Sequence, residues 1–194
     1  MHVGMSVIFQ NPGERVPDQQ VYQQDLALAL QAEGLGFDSV WSVEHHFTSY
    51  TMCPDVLQFL TYMAGATKSI QLGSMVCVLP WHDPLRVIEQ ISMLDNLSDG
   101  RLILGLGRGT GKVEFDGFRS EMSSARQRFK ESTEMVLNAI ENGYAEYHGE
   151  VIEQPRVDIR PRPIKSMRGR AYLSLIHISE PTRRRGMSGS GMAV

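Results

Sequence analysis

The 194 residues are 42% hydrophobic and 21% charged, with a formal net charge of −3. That is the make-up of a soluble chain long enough to bury one core. No block of like charge stands out before residue 160, so neither nucleic acid nor an anionic membrane is an expected partner; no apolar run approaches the roughly 20 residues that span a bilayer.

In chain order, Val3, Met5, Val7 and Phe9 alternate with Gly4, Ser6 and Ile8, which predicts a first strand. Asp18 is placed to cap a helix with Tyr22, Leu26, Ala29 and Leu30 inward, stopped by Gly34. A second strand is predicted over Ser39 to Ser42. Pro54 opens a helix with Val56, Leu57, Leu60, Met63 and Ala64 as its buried stripe. Ile70 to Leu79 reads as one buried strand. Asp83 as N-cap and Pro84 as first residue start a third helix, with Leu85, Ile88, Ile91 and Leu94 inward and Gly100 at its end. "RLILGLG" is a fourth strand. A helix over about Ser123 to Asn142 buries Phe129, Val136, Leu137 and Ile140. Tyr144 to Pro163 reads as a hairpin-like insertion, and "RAYLS" as the start of a fifth strand.

Strands starting near residues 3, 39, 70 and 102 make a repeated βα unit and imply a parallel sheet with covering helices. An open doubly wound sheet and a (β/α)8 barrel both fit. "QNPGERV" after the first strand does not supply the G-x-G-x-x-G of a dinucleotide fold. Cys53 and Cys77 have no CxxC or metal-ligand spacing. They read as reduced thiols, and with no signal-peptide pattern at the N-terminus a cytoplasmic location is expected. Leu173 to Arg183 resembles the in-frame translation of a transposase adapter used in sequencing libraries. Residues 173–194 are therefore expected to be a non-native tail on a domain over 1–172.

In a barrel, functional side chains sit where strands end. Glu44, His45 and His46 follow the second strand, Trp81 and His82 the third, and Arg108 the fourth; Arg126 lies early in the last helix. Adjacent histidines at a strand end point different ways and no ligand set completes a shell, so no metal site is expected. One ring suits proton transfer near neutral pH; on the residues alone, a loop imidazole bonded to backbone is the default reading. "GLGRGTGK" fails both phosphate-loop patterns, yet its glycines and guanidinium suit an anion. A solvated loop arginine, or one paired with Glu114, is the alternative.

"GFDSVWSVEHHFT", "GSMVCVLPWHDPLRVIEQISMLDNLSDGRLILGLGRG" and "EFDGFRSEMSSARQRF" occur in order and together resemble the bacterial luciferase family of flavin-dependent monooxygenases. The resemblance runs from about Val3 to Arg162. It implies the N-terminal half of a (β/α)8 TIM barrel, incomplete here, with reduced FMN as cosubstrate and O2 as oxidant. It places His45 at the catalytic histidine, with Glu44 before it in the cofactor site. It places Arg108 and Arg126 on the FMN phosphate, and Met75–Val76 at a non-prolyl cis peptide beneath the flavin ring. Gly107 stands where the luciferases carry a reactive cysteine, so light emission is not implied. The expected activity is a non-luminescent monooxygenase acting on a small organic substrate, with a flavin reductase as partner and a dimer when full length. A deazaflavin-dependent oxidoreductase on the same barrel and a non-catalytic flavin-binding protein are the alternatives. Half a barrel would also leave two open strand edges and an inner face of Val, Ile and Leu in water, and an aggregation-prone chain is expected.

Overall fold

The computed structural model describes residues 1–174. One parallel sheet runs through β1 (Gly4–Val7), β2 (Ser39–Ser42), β3 (Gln71–Ser74), β4 (Cys77–Val78), β5 (Leu102–Gly107) and β8 (Ala171–Leu173). β1 pairs β2, β2 pairs β3, and both β3 and β4 pair β5, as does β8. β3 and β4 are two pieces of one strand, so the sheet follows chain order without reversal. A doubly wound sheet reverses at a switch point; this one does not, and it forms the first half of a (β/α)8 barrel.

The strand predicted over Ile70 to Leu79 is thus corrected. It is interrupted by a cis Met75–Val76 peptide, and a 3-10 turn over Leu79–Trp81 ends it. An unbroken apolar run carries no periodicity that could reveal the break. Gly105 and Gly107 on β5 accommodate it: a Cβ at 105 would overlap Ser74 O, and one at 107 would overlap Val76.

The helices are α1 (Asp18–Gln31), α2 (Val56–Ala66), α3 (Pro84–Leu97), a short α4 (Lys112–Gly117) and α5 (Ala125–Asn142). Asp83 caps α3 as expected, its side chain accepting from Leu85 N and Arg86 N. Two start signals are corrected. Pro17, not Asp18, is the N-cap of α1, and the Asp18 carboxylate accepts from Asn11 instead. Asp55, one residue after Pro54, caps α2 through Gln58 N. Leu30 is exposed, because α1 buries Val21 and Ala29. α4 was unpredicted; six residues among glycines show no amphipathic period. Phe129 and Leu137 of α5 are only partly buried, packed at the edge of the core.

The core lies between sheet and helices, with Val40, Leu72 and Leu104 on the sheet's outer face against Leu60, Ile88, Ile91 and Val136. The opposite face differs from the expected Val, Ile and Leu. It carries Gly4, Ser39, Trp41, Gln71 and Gly73, with Ile103 as its aliphatic member. The Trp41 indole lies over Gly4 and Gly73, where any Cβ would collide with it, and its Nε1–H donates to Ser39 Oγ at 2.7 Å.

β6 (Tyr144–His148) and β7 (Glu153–Asp158) form the predicted antiparallel hairpin. Buried Glu131 of α5 accepts from the backbone N–H groups of Glu150, Val151 and Ile152, pinning the hairpin turn to the helix. Buried Asp95 of α3 likewise holds Arg170 at 2.8 Å and the N–H groups of Ile164 and Lys165, seating the loop that enters β8. β8 realises the predicted fifth strand; Leu173 pairs with Leu106, and Ser174 N donates to Leu106 O. Ile176, Ile178 and Met192 of the expected tail lie outside the described residues.

Candidate active site

A cleft of about 590 Å³ opens where the parallel strands end, and all six candidate residues, Glu44, His45, Met75, Val76, Arg108 and Arg126, line it. Each arrives by a different route. Glu44 and His45 leave the end of β2, Met75 and Val76 sit in the break between β3 and β4, Arg108 follows β5, and Arg126 starts α5.

The adjacent histidines part company. His45 keeps its side chain 42% exposed, with Nδ1 2.8 Å from Glu114 Oε1. His46 is buried, its Nε2 3.1 Å from Glu44 Oε1, and its ring meets Trp81 and Phe118 edge to face.

Glu44 is only 3% exposed. Its Oε1 also takes His82 Nε2 at 2.6 Å, and its Oε2 the N–H of Val78 at 2.9 Å. Burial opposes its charge, but the hydrogen bonds from His46 and His82 prevail and hold its carboxyl below the usual range. Burial likewise works against a charged His82, yet bonding to Glu44 raises that imidazole above its usual value. Glu44, His82 and Cys77 lie close enough to suggest metal ligands. Hydrogen bonds already account for the carboxylate and imidazole, and burial pushes the Cys77 thiol well up, away from the thiolate a metal needs. Glu44 therefore sits behind the cleft wall as much as on it, tying the loop after β2 to β4 and to the loop before α3.

Glu114 was the candidate partner for the two arginines. It bonds His45 instead, and among the described residues neither Arg108 nor Arg126 pairs with a carboxylate. Lys130, one turn after Arg126, and Thr133 extend the same face of α5 along the cleft. Sequence reasoning assigned neither a role, nor linked Glu114 to His45. A helical spacing of four from Arg126 marked Lys130; nothing local marked the other contact, whose partners are 69 residues apart.

The luciferase-like monooxygenase family matches residues 1–176. The chain belongs to that family. It is 34% identical over 153 residues to the alkanal monooxygenase alpha chain of Photobacterium leiognathi, covering 79% of this chain and 43% of that one. The matched part spans between 36% and 50% of such curated relatives. Among solved structures it is similar to the monooxygenase RslO1 from Streptomyces bottropensis, at 30% identity and a TM-score of 0.81, over 89% of this chain and 52% of that one. Two more distant likenesses show the fold. One is the oxygenating constituent of 3,6-diketocamphane monooxygenase from Pseudomonas putida, in complex with FMN, at 21% identity and TM-score 0.71 over 79% and 43% of the two chains. The other is the coenzyme F420-dependent tetrahydromethanopterin reductase from Methanopyrus kandleri, at 22% and 0.64 over 89% and 49%.

Proposed function

We propose that the cleft is the cofactor site of an FMN-dependent monooxygenase that oxidises a small organic substrate with O2 and reduced flavin. One observation carries the reading: two guanidiniums, Arg108 and Arg126, line one cleft with no carboxylate partner among the described residues. The carboxylates that also line it are taken up elsewhere, Glu44 and Glu114 by histidines and Glu134 by Tyr147, so the unpaired guanidiniums call for an anion, and a phosphate matches their fork. The rest of the cleft fits an attached aromatic ring system. Met75, Val76, Val78, Trp81 and Phe129 give it an apolar wall, and Gly107 and Gly109 bare the backbone beside Arg108.

In this reading Arg108 and Arg126 hold the phosphate, with Glu44 and the Met75–Val76 segment shaping the wall of the ring's site. Reduced flavin, when bound, supplies the electrons that activate O2. His45 accepts or returns a proton at its ring nitrogen. The apolar wall lowers the local dielectric and excludes water from the reacting groups. With Gly107 in place of a thiol, light emission is no part of the proposal. A flavin reductase would supply the cofactor, and a dimer is proposed for the full-length protein.

A deazaflavin-dependent hydride transfer is the second reading, favoured by Lys130, a third cation suited to a longer anionic tail. The F420-dependent neighbour shares the fold. A non-catalytic flavin-binding role is the third. Titrating the protein with FMN and with a deazaflavin, followed by fluorescence, separates them. Arg108→Ala should weaken FMN binding by about 1.5–3 kcal/mol, the range for charged hydrogen bonds. His45→Ala in the full-length protein should leave binding nearly intact and lower turnover roughly 100-fold or more. Equal loss of binding in both variants would refute this division of roles. Tighter binding of the deazaflavin would favour the second reading, and flavin binding without turnover the third.

A further inference from the structure

From the contacts of Glu114 we infer that it is the positioning residue of the site, fixing His45 as the Nδ1–H tautomer so that Nε2 is the ring's proton-accepting atom. The inference deepens the reading of His45 as acid and base, but its first test needs no cofactor.

Glu114 Oε1 receives the backbone N–H of His46 at 3.1 Å, a donor beyond ambiguity. The same oxygen lies 2.8 Å from His45 Nδ1. An ionised carboxylate only accepts, so the bond to Nδ1 requires the proton on that nitrogen. In the neutral ring Nε2 is then left with its lone pair. Among the described residues Nε2 has no hydrogen-bond partner, while the ring borders the cleft. His46 and His82 show the opposite arrangement: each directs Nε2 at the Glu44 carboxylate, which puts the proton on Nε2 and turns that atom away from chemistry. Of the three imidazoles beside this cleft, His45 alone is held with Nε2 free.

Two further features show that the carboxylate is placed deliberately. Glu114 is 3% exposed although it is a single-turn neighbour of solvent-facing Lys112 and Val113. Gly111, the N-cap of α4, has an ordinary φ of −73°, so its backbone does not require glycine. Space does: a Cβ at 111 would overlap Glu114 Oε2. The glycine keeps open the seat in which the carboxylate reaches His45. When Nε2 takes up a proton, the imidazolium forms against a carboxylate already in contact, with no side chain having to move. The proton returns from the same nitrogen, so the ring ends each cycle in the tautomer in which it began.

Nitrogen-15 NMR of the histidine rings reads the tautomer directly, with His45 assigned by the signals lost in His45→Gln. The wild-type neutral ring should be predominantly Nδ1–H. Glu114→Leu removes the acceptor and should lower the Nδ1–H fraction several-fold, toward the Nε2–H majority of free imidazole. Glu114→Gln retains a carbonyl acceptor and should keep the wild-type tautomer. Gly111→Ala leaves both partners in place and should reproduce the Glu114→Leu shift by displacing the carboxylate. Unchanged His46 and His82 signals report an intact loop. An Nε2–H ring in the wild type, or an unchanged tautomer in both Glu114→Leu and Gly111→Ala, overturns the inference whatever the cofactor proves to be. In the full-length enzyme, Glu114→Leu should lower kcat at least tenfold with flavin affinity unchanged. A loss of affinity instead would assign Glu114 to cofactor binding and overturn the positioning role.

Discussion

Glu44 shows how one buried carboxylate organises the end of the sheet. It receives three donors from three separate segments, and its neighbours His46 and His82 answer it in kind. Replacing it by Gln keeps the shape and removes the charge that those donors need. Glu44→Gln should destabilise the fold by about 2–3 kcal/mol, the loss expected for charged hydrogen bonds, measured by urea unfolding. The effect has a pH window. The Glu44 carboxyl is depressed below its usual 4.5, so its contribution is present above that value and fades as pH falls through the folded value. His82 is raised above its usual 6.5, so its contribution is full below 6.5 and fades as pH rises through its folded value. The gap between wild type and Glu44→Gln should therefore be widest between 4.5 and 6.5. A gap independent of pH would show that the packing of the side chain, not its charge, sets its value.

At the scale of elements, carboxylates also fasten the far end of the sheet. Glu33, just past α1, accepts from the N–H groups of Lys68, Ser69 and Ile70 and from the Ser69 hydroxyl, joining α1 to the entrance of β3. The Ser69 backbone bond leads in holding its carboxyl down at about 2. The depressed value means stabilisation present above 4.5 and lost as pH falls toward 2. Acid titration of wild type against Glu33→Gln should show the two curves converging over that interval. Curves that stay parallel would mean the loop holds without the charge.

These ties bear on what the sequence made legible. The βα repeat, the Asp83–Pro84 start and the hairpin were visible because period and capping are local. The break at Met75–Val76 was readable only through the family resemblance, and the cis peptide found there agrees with it. Glu33, Asp95 and Glu114 were invisible as ties, because their partners lie 35 or more residues away and a carboxylate carries no mark of what it will meet. The six candidate residues could be placed from strand ends and resemblance together; the separation of buried Glu44 from the open imidazole of His45 needed coordinates.

For the molecule as a whole, the sheet keeps two edges among the described residues: β1 pairs only with β2, and β8 only with β5. Unpaired strand edges template association. The inner face is milder than an aliphatic one, since Trp41 covers two glycines and serine and glutamine flank it. Association should therefore proceed through edges more than through that face. Light scattering on the 194-residue chain should show mass rising with concentration, and Ser6→Lys on the β1 edge should reduce the rise. A monodisperse monomer at every concentration, or an effect only from substituting Trp41, would refute the edge mechanism.

The Glu44 hub also sets rules for recombination. It joins the segment after β2 to β4 and to the loop before α3, while Glu114 joins the segment after β2 to α4. A chimera spliced between residues 55 and 77 would inherit the carboxylate and His46 from one parent and the Val78 amide and His82 imidazole from another. Splices on the opposite rim meet a different obstacle, the Glu33 and Asp95 ties, each confined to one pair of neighbouring segments. The segments that follow β2, β4 and β5 at the mouth should thus be exchanged as one cassette, and a donor cassette with a shorter acid at position 44 should bring its own partner at 82.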